Sequence, residues 1–295
     1  MRRLLFLMIL LIPAPAHAWN KAGHMLVAAV AFPELPPAVS ATLRSHPHYG
    51  KWIAQARRKG VPDQQRDLFV AMMAARWPDD IRDDARYNHL YWHFINYPYV
   101  IGNAPTPSDL PNRRENVELA IASNLATYRN ARAAPRERAI ALAWLFHLVG
   151  DIHMPLHAVS SVSRDYPHGD RGATRYYVLP ERGTKPVSLH LYWDAVVIGT
   201  ERFSQVRNEA GALRASLKRG AFAQLRCATT PHEWAREESY RLAVRDAYRH
   251  GAIQGSTDAE HATPLPIGYG KAAKAVARRQ LVLSAYRLAD LLNRP

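Results

Sequence analysis

The chain has 295 residues, 48% of them hydrophobic, which allows a substantial core in one large domain or two small ones. A formal charge of +14 favours polyanionic partners and says nothing about the fold. A single cysteine, Cys227, excludes an intramolecular disulfide and a cysteine-rich metal site, so any transition metal must be held by His, Asp, Glu or main-chain groups.

In chain order, residues 1–18 read as a secretory signal: Arg2 and Arg3, an apolar run over 4–12, then Ala16-His17-Ala18 as the cleavage site. The run is too short to span a bilayer core of roughly 30 Å, and no later segment is long and apolar enough. The expectation is a secreted or periplasmic protein without a membrane span, whose mature part, residues 19–295, forms one domain; an uncleaved anchor is the alternative. Residues 22–31 are an apolar, helical opening broken by Pro33 and Pro36-Pro37. A polar, basic stretch follows through Lys59-Gly60. Residues 68–77 read as a helix ending at Pro78, and residues 97–113, with four prolines and a glycine, as a loop. Residues 115–129 and 136–150 read as strong helices, with Leu142, Leu145, Phe146 and Val149 as a core stripe. Residues 159–188 are the least helical part, and 176–179 followed by 181–184 suggest a short hairpin. Residues 190–198, 201–218, 230–250 and 271–292 return to helix. With no internal repeat or low-complexity linker, the predicted fold is mainly α: a single helical domain with a short β-hairpin.

Two His-x-x-x-Asp pairs stand out, His147/Asp151 and His190/Asp194. On a helix, residues four apart share a face, offset by roughly 6 Å of rise, so each pair suits a shared cation, although helix salt bridges and capped ends produce the same spacing. Asp151 follows Gly150 and precedes Pro155, where its helix should end. The helix dipole disfavours a carboxylate there by about 0.3–1 kcal/mol at exposed sites, and a nearby cation reverses that sign. Leu145-Phe146 before it and Met154-Pro155-Leu156 after it are apolar, and buried charges need partners; His153 and His157 follow closely. Upstream, Trp77-Pro78-Asp79 leads to Arg82 and then Trp92-His93-Phe94-Ile95-Asn96, which alone reads as core packing with surface charge. Cleavage after Ala18 would leave Trp19 first, with His24 five residues on. A free α-amino group, with a pKa of roughly 7.7–8.0, ligates metal once deprotonated, and its own carbonyl can close a chelate.

These residues resemble the secreted, zinc-dependent single-strand nucleases and 3′-nucleotidases, a superfamily shared with bacterial zinc phospholipases C. The matching motifs are Trp19, Gly23-His24, Trp77 to Arg82, His93-Phe94-Ile95, His147 to His157, and Leu189-His190-Leu191-Tyr192-Trp193-Asp194. Trp234-Ala235, Glu238-Ser239 and residues 280–293 extend the similarity over nearly all of the mature chain. The resemblance implies three Zn²⁺ ions. Asp79, His93, His147 and Asp151 would hold one; His157, His190 and Asp194 a second; the Trp19 amine and carbonyl, His24 and the other oxygen of Asp151 a third. Asp194 resembles the nuclease branch, since the phospholipase branch typically carries Glu there.

The implied activity is hydrolysis of single-stranded DNA or RNA to 5′-nucleotides, and of 3′-nucleotides, with no stable protein partner. Asp79 and Asp151 would act through the metals, and Arg82 would clamp a non-bridging phosphate oxygen. The family's base pocket places a ring at Phe94, which can stack any unpaired base for roughly 1–3 kcal/mol. Asn96 stands where the family often has Asp, which alters the donor pattern offered to a base. Gly169-Asp170-Arg171-Gly172-Ala173-Thr174 stands where the family usually shows a Gly-Gly-Asn stretch, and the family's common disulfides are absent. Two alternatives are a phospholipase C-like or other phosphodiesterase using the same metals, and a non-catalytic zinc-binding periplasmic protein.

Overall fold

The computed structural model describes residues 19–294, so the expected leader lies outside the described residues. It is mainly helical. The principal helices are α1 (Lys21–Ala31), α2 (Pro37–Leu43), α3 (Tyr49–Arg58), α4 (Arg66–Asp80), α5 (Val117–Arg129), α6 (Pro135–Asp151), α7 (Leu189–Ala195) and α8 (Phe203–Ser216). Two short helices, α9 (Gln224–Cys227) and α10 (Tyr240–Leu242), precede the long α11 (Tyr269–Asn293). The strands are β1 (Tyr97–Val100), β2 (Val159–Val162), β3 (Tyr177–Leu179), β4 (Val187–Ser188) and β5 (Thr263–Pro264).

At the centre lies α1, packed on α4, α6, α8 and α11, with every residue from Ala22 to Ala31 buried. A helix apolar all round belongs inside a core. Its start is fixed by Asn20, whose side chain accepts from the Gly23 amide at 2.8 Å. Gly23 itself leaves room for Trp19: a Cβ there would stand 2.8 Å from the Trp19 Cβ.

The polar, basic stretch holds two helices that composition conceals. In α2 only Val39 and Leu43 are buried, and in α3 only Trp52 and Ala56. Each pair is four apart, enough to seat one face on the core. Helix α4 does not stop at Pro78 but runs to Asp80. Proline removes one amide donor, yet the last turn is held by the Ile81 amide donating to the Trp77 carbonyl and by Arg76 and Lys21 pairing with Asp80.

Residues 97–100, expected to be loop, form β1, which pairs in parallel with β2, Tyr97 opposite Val159. The hairpin is present with a longer connection: β3 and β4 pair antiparallel, Tyr177 opposite Ser188, and β5 joins β3 in parallel. Of the helix expected over 230–250, residues 231–247 form a helical path with widened turns at Glu233–Ser239 and Ala243–Ala247, and positive φ at Arg249 and His250 ends it.

Between β2 and β3 the chain folds into a loop anchored by buried residues. Asp170, fully buried, accepts the Ser161 amide at 2.9 Å and the Tyr248 hydroxyl at 2.7 Å. Arg171, Gly172 and Ala173 then all adopt positive φ. Gly172 also meets the backbone: a Cβ there would stand 2.3 Å from the Leu156 carbonyl oxygen. Gly183, at φ +80 in open space, supplies a control. Gly183→Ala should cost about 1 kcal/mol, the left-handed penalty alone, whereas Gly172→Ala should cost about 2 kcal/mol more because the backbone must shift. Equal losses in thermal or urea denaturation would contradict this account.

Candidate metal centre

Five parts of the chain converge on one buried region. Helix α1 contributes His24; α4 contributes Asp79; the turn at Leu90–His93 contributes His93. Helix α6 and the turn after it contribute His147, Asp151 and His157, and α7 contributes His190 and Asp194. All eight side chains are buried, none more than 5% exposed.

Asp151 is the hub. Its Oδ1 lies 3.2 Å from His24 Nε2, while its Oδ2 lies 3.0 Å from His93 Nδ1 and 3.1 Å from His147 Nε2. The two oxygens therefore face different imidazoles. Asp79 approaches the same nitrogens, 4.0 Å from His24 Nε2 and 3.9 Å from His147 Nε2. Arg82 holds Asp79 Oδ1 with Nη2 at 2.7 Å and Nε at 3.1 Å. His24 and His147 stack at 3.7 Å between centroids. A second cluster joins His157, His190 and Asp194, with His190 Nε2 3.6 Å from Asp194 and the two rings stacked at 5.0 Å.

Main-chain carbonyls set the tautomers of three rings. His147 Nδ1 donates to the Ala75 carbonyl at 2.8 Å, His157 Nδ1 to the His93 carbonyl at 2.6 Å, and His190 Nδ1 to the Gly172 carbonyl at 2.7 Å. A proton on Nδ1 leaves the Nε2 lone pair directed inward, the arrangement metal-ligating histidines use. The loop with left-handed backbone thus holds His190 in place. None of these carbonyls could be found from residue type, since every residue carries one.

The electrostatics call for a cation. Burial pushes the Asp194 carboxyl well above its usual range, and the nearby Asp79 and Asp151 charges push the same way. Asp151 moves oppositely: burial works against its charge, but His147 and His24 together hold it well below the carboxylate range. His147 is raised, because Asp151 and Asp79 outweigh burial. Burial holds His93 and His157 down at about 4, so both stay neutral donors. Both Asp194 oxygens and His157 Nε2 are buried without a hydrogen-bond partner. Three clustered carboxylates and inward imidazole nitrogens fit divalent cations, and the groups able to hold one are His24/Asp79/His147, His93/His147/Asp151 and His157/His190/Asp194. The last matches the expected set; in the first, Asp79 sits as close to His24 as to His147.

Trp19 is fully buried, its indole donating to the Gly150 carbonyl at 2.9 Å. The next residue ties the two clusters together, the Asn20 amide donating to the Asp194 carbonyl at 3.2 Å. Gly150 leaves space for His24, whose Nδ1 would lie 3.1 Å from an added Cβ. Phe94 and Asn96 are half-buried beside His93, and Phe94 accepts the Val117 amide at 3.2 Å through its carbonyl. One group that sequence reasoning missed is Arg287, which donates to His153 Nε2 at 2.7 Å and pairs with Glu238 at 2.6 Å. Its only sequence signal was its place in the closing helix.

Residues 19–295 match the S1/P1 Nuclease family. The chain is 25% identical to Endonuclease 3 of Arabidopsis thaliana over 304 residues, covering 95% of this chain and 89% of that protein. It is 24% identical to Endonuclease 4 of the same plant, with the same coverages, and 27% identical to Endonuclease 5 over 74% of this chain and 75% of that protein. With its His/Asp clusters able to hold metal and a family match that runs through the described domain, the chain belongs to the S1/P1 nuclease family, a family of metal-dependent nucleases.

Proposed function

We propose that the chain is a secreted, trinuclear-zinc phosphodiesterase that cleaves single-stranded DNA or RNA to 5′-nucleotides and also hydrolyses 3′-nucleotides. The observation that carries the reading is Asp151, whose two oxygens address different imidazoles 3.0–3.2 Å away among buried side chains. Asp79, His93, His147 and Asp151 would hold one zinc, His157, His190 and Asp194 another, and His24, Asp151 and a Trp19 freed by cleavage after Ala18 the third. Zinc bound there supplies an activated water near neutral pH and neutralises charge at phosphorus.

The chain's own groups do the rest. Arg82 donates to Asp79 and orients it, and its guanidinium would clamp a non-bridging phosphate oxygen. Phe94 offers a ring face to an unpaired base, and Asn96 offers both a donor and an acceptor to its edge. Excess positive charge favours a polyanionic substrate. A phospholipid substrate needs the same metals but has no use for a stacking ring.

Three outcomes are expected. Purified mature protein should hydrolyse single-stranded DNA, RNA and 3′-AMP, lose that activity on chelation and regain it with zinc; turnover of phosphatidylcholine alone would refute the nucleolytic reading. Zinc per chain should fall by two ions in Asp151→Asn, but by one in Asp194→Asn and in a protein carrying one extra residue before Trp19; equal losses in all would refute the bridging role and the terminal amine. Zinc affinity of the chelated protein should weaken as pH falls from 8 toward 4. Protons compete with metal first at His147, whose pKa is raised, and then at His93 and His157, which protonate near 4. Calorimetric titrations with a flat profile over that range would contradict this assignment.

A further inference from the structure

The turn that delivers His93 also exposes a second aromatic ring that the proposed chemistry does not use. Leu90 and Tyr91 are 50% and 49% exposed, although His93 at the end of the same turn is buried. Phe94 follows the turn in extended backbone, and Tyr91 packs edge-on to it with ring centroids 6.1 Å apart and planes at 73°. The two rings thus make adjoining faces at a steep angle. Large exposed apolar side chains grouped beside a site mark contact surfaces more often than isolated ones do.

The chain docked against this segment carries positive charge. The Phe94 carbonyl accepts the Val117 amide at 3.2 Å, which docks the start of α5 against the ring-bearing segment. Arg113 and Arg114, both exposed, lie just ahead of that point. Their turn is fastened at both ends: the Asn116 side chain donates to the Asn112 carbonyl at 2.9 Å, and Asn112 Oδ1 accepts the Arg114 amide at 3.2 Å. Exposed aromatic rings with a basic turn in the adjoining segment suit a single nucleic-acid strand, which offers bases and phosphates alternately.

We propose that Tyr91 is a second base-stacking platform, holding the nucleotide next to the one stacked on Phe94, with the backbone between them running past Arg113 and Arg114. The proposal rests on the nucleolytic reading and on Phe94 as the first platform. Because the rings are steeply inclined, the two bases must splay apart, which a duplex cannot do without unpairing. Tyr91 therefore sets preference for strands over mononucleotides and takes no part in bond cleavage.

The test compares Tyr91→Ala, Tyr91→Phe and unaltered zinc-loaded protein on ten-residue oligothymidine and on 3′-AMP. Tyr91→Ala should raise KM for the oligomer roughly five- to thirty-fold, with kcat on the oligomer and KM for 3′-AMP within two-fold of the unaltered protein. Tyr91→Phe should restore the oligomer KM, since the ring face remains. An unchanged oligomer KM, an equal rise on 3′-AMP, or failure of the Phe variant to restore would overturn the platform while leaving the nuclease reading intact. If the unaltered protein hydrolyses neither substrate, the nuclease reading fails. Anisotropy of fluorescent oligothymidine then decides the platform: equal affinity for unaltered and Tyr91→Ala protein overturns it, and weaker binding by the variant supports it.

Discussion

A fully buried carboxylate at the wrong end of a helix organises this molecule. Asp151 closes α6, where the helix dipole and burial both oppose its charge. It stays ionised because His24 and His147 approach from α1 and α6 and His93 from the turn after α4. That demand explains why α1 lies at the centre, and why glycine recurs where α1 meets α6. A side chain at Gly150 would press on His24, and one at Gly23 would press on Trp19, which is itself tied to Gly150. The close helix contact is therefore a consequence of the electrostatics as much as of apolar packing.

Around this hub the backbone does work that side chains cannot. Carbonyls of Ala75, His93 and Gly172 each take the Nδ1 proton of one ring and so direct its Nε2 inward. Gly172 can do this only because the chain from Arg171 to Ala173 turns through left-handed conformations. For the non-glycine residues these cost roughly 1–2 kcal/mol each. Asp170 offsets that cost by fastening the loop to β2 and to Tyr248. Strain that persists beside a ligand cluster and is held by buried hydrogen bonds is a mark of a functional site.

The long helices were legible because their apolar residues recur at helical spacing, as in α1, α5, α6 and α11. The helices α2 and α3 were not, because each buries only two residues in a charged stretch. Pro78 read as a terminus because the missing amide is local, whereas part of what holds the turn beyond it, Lys21 on Asp80, is 59 positions away in the chain. Parallel pairing of β1 with β2 was invisible for the same reason, since no turn signal links strands so far apart. The converging side chains were legible through spacing and resemblance. Their carbonyl partners were not, because the main chain carries no residue-type signature.

The closing helix extends this logic to the far side of the site. His153 donates from Nδ1 to the Val149 carbonyl at 2.7 Å, which leaves Nε2 to accept from Arg287 at 2.7 Å. Burial, with the Arg287 charge beside it, keeps that imidazole neutral. Arg287 in turn grips Glu238 with two nitrogens at 2.6 and 2.7 Å and donates to the Gln224 and Ala228 carbonyls, while Ser239 donates to the Ile152 carbonyl at 2.6 Å. A buried ion pair adds little net stability, because desolvation consumes most of the attraction, but it fixes where its partners stand. Here it fixes the turn that begins at Asp151. The carboxylate hub is thus clamped by α1 on one side and by α11 through His153 on the other, so the cluster is a product of the whole domain and not of any one pair of helices.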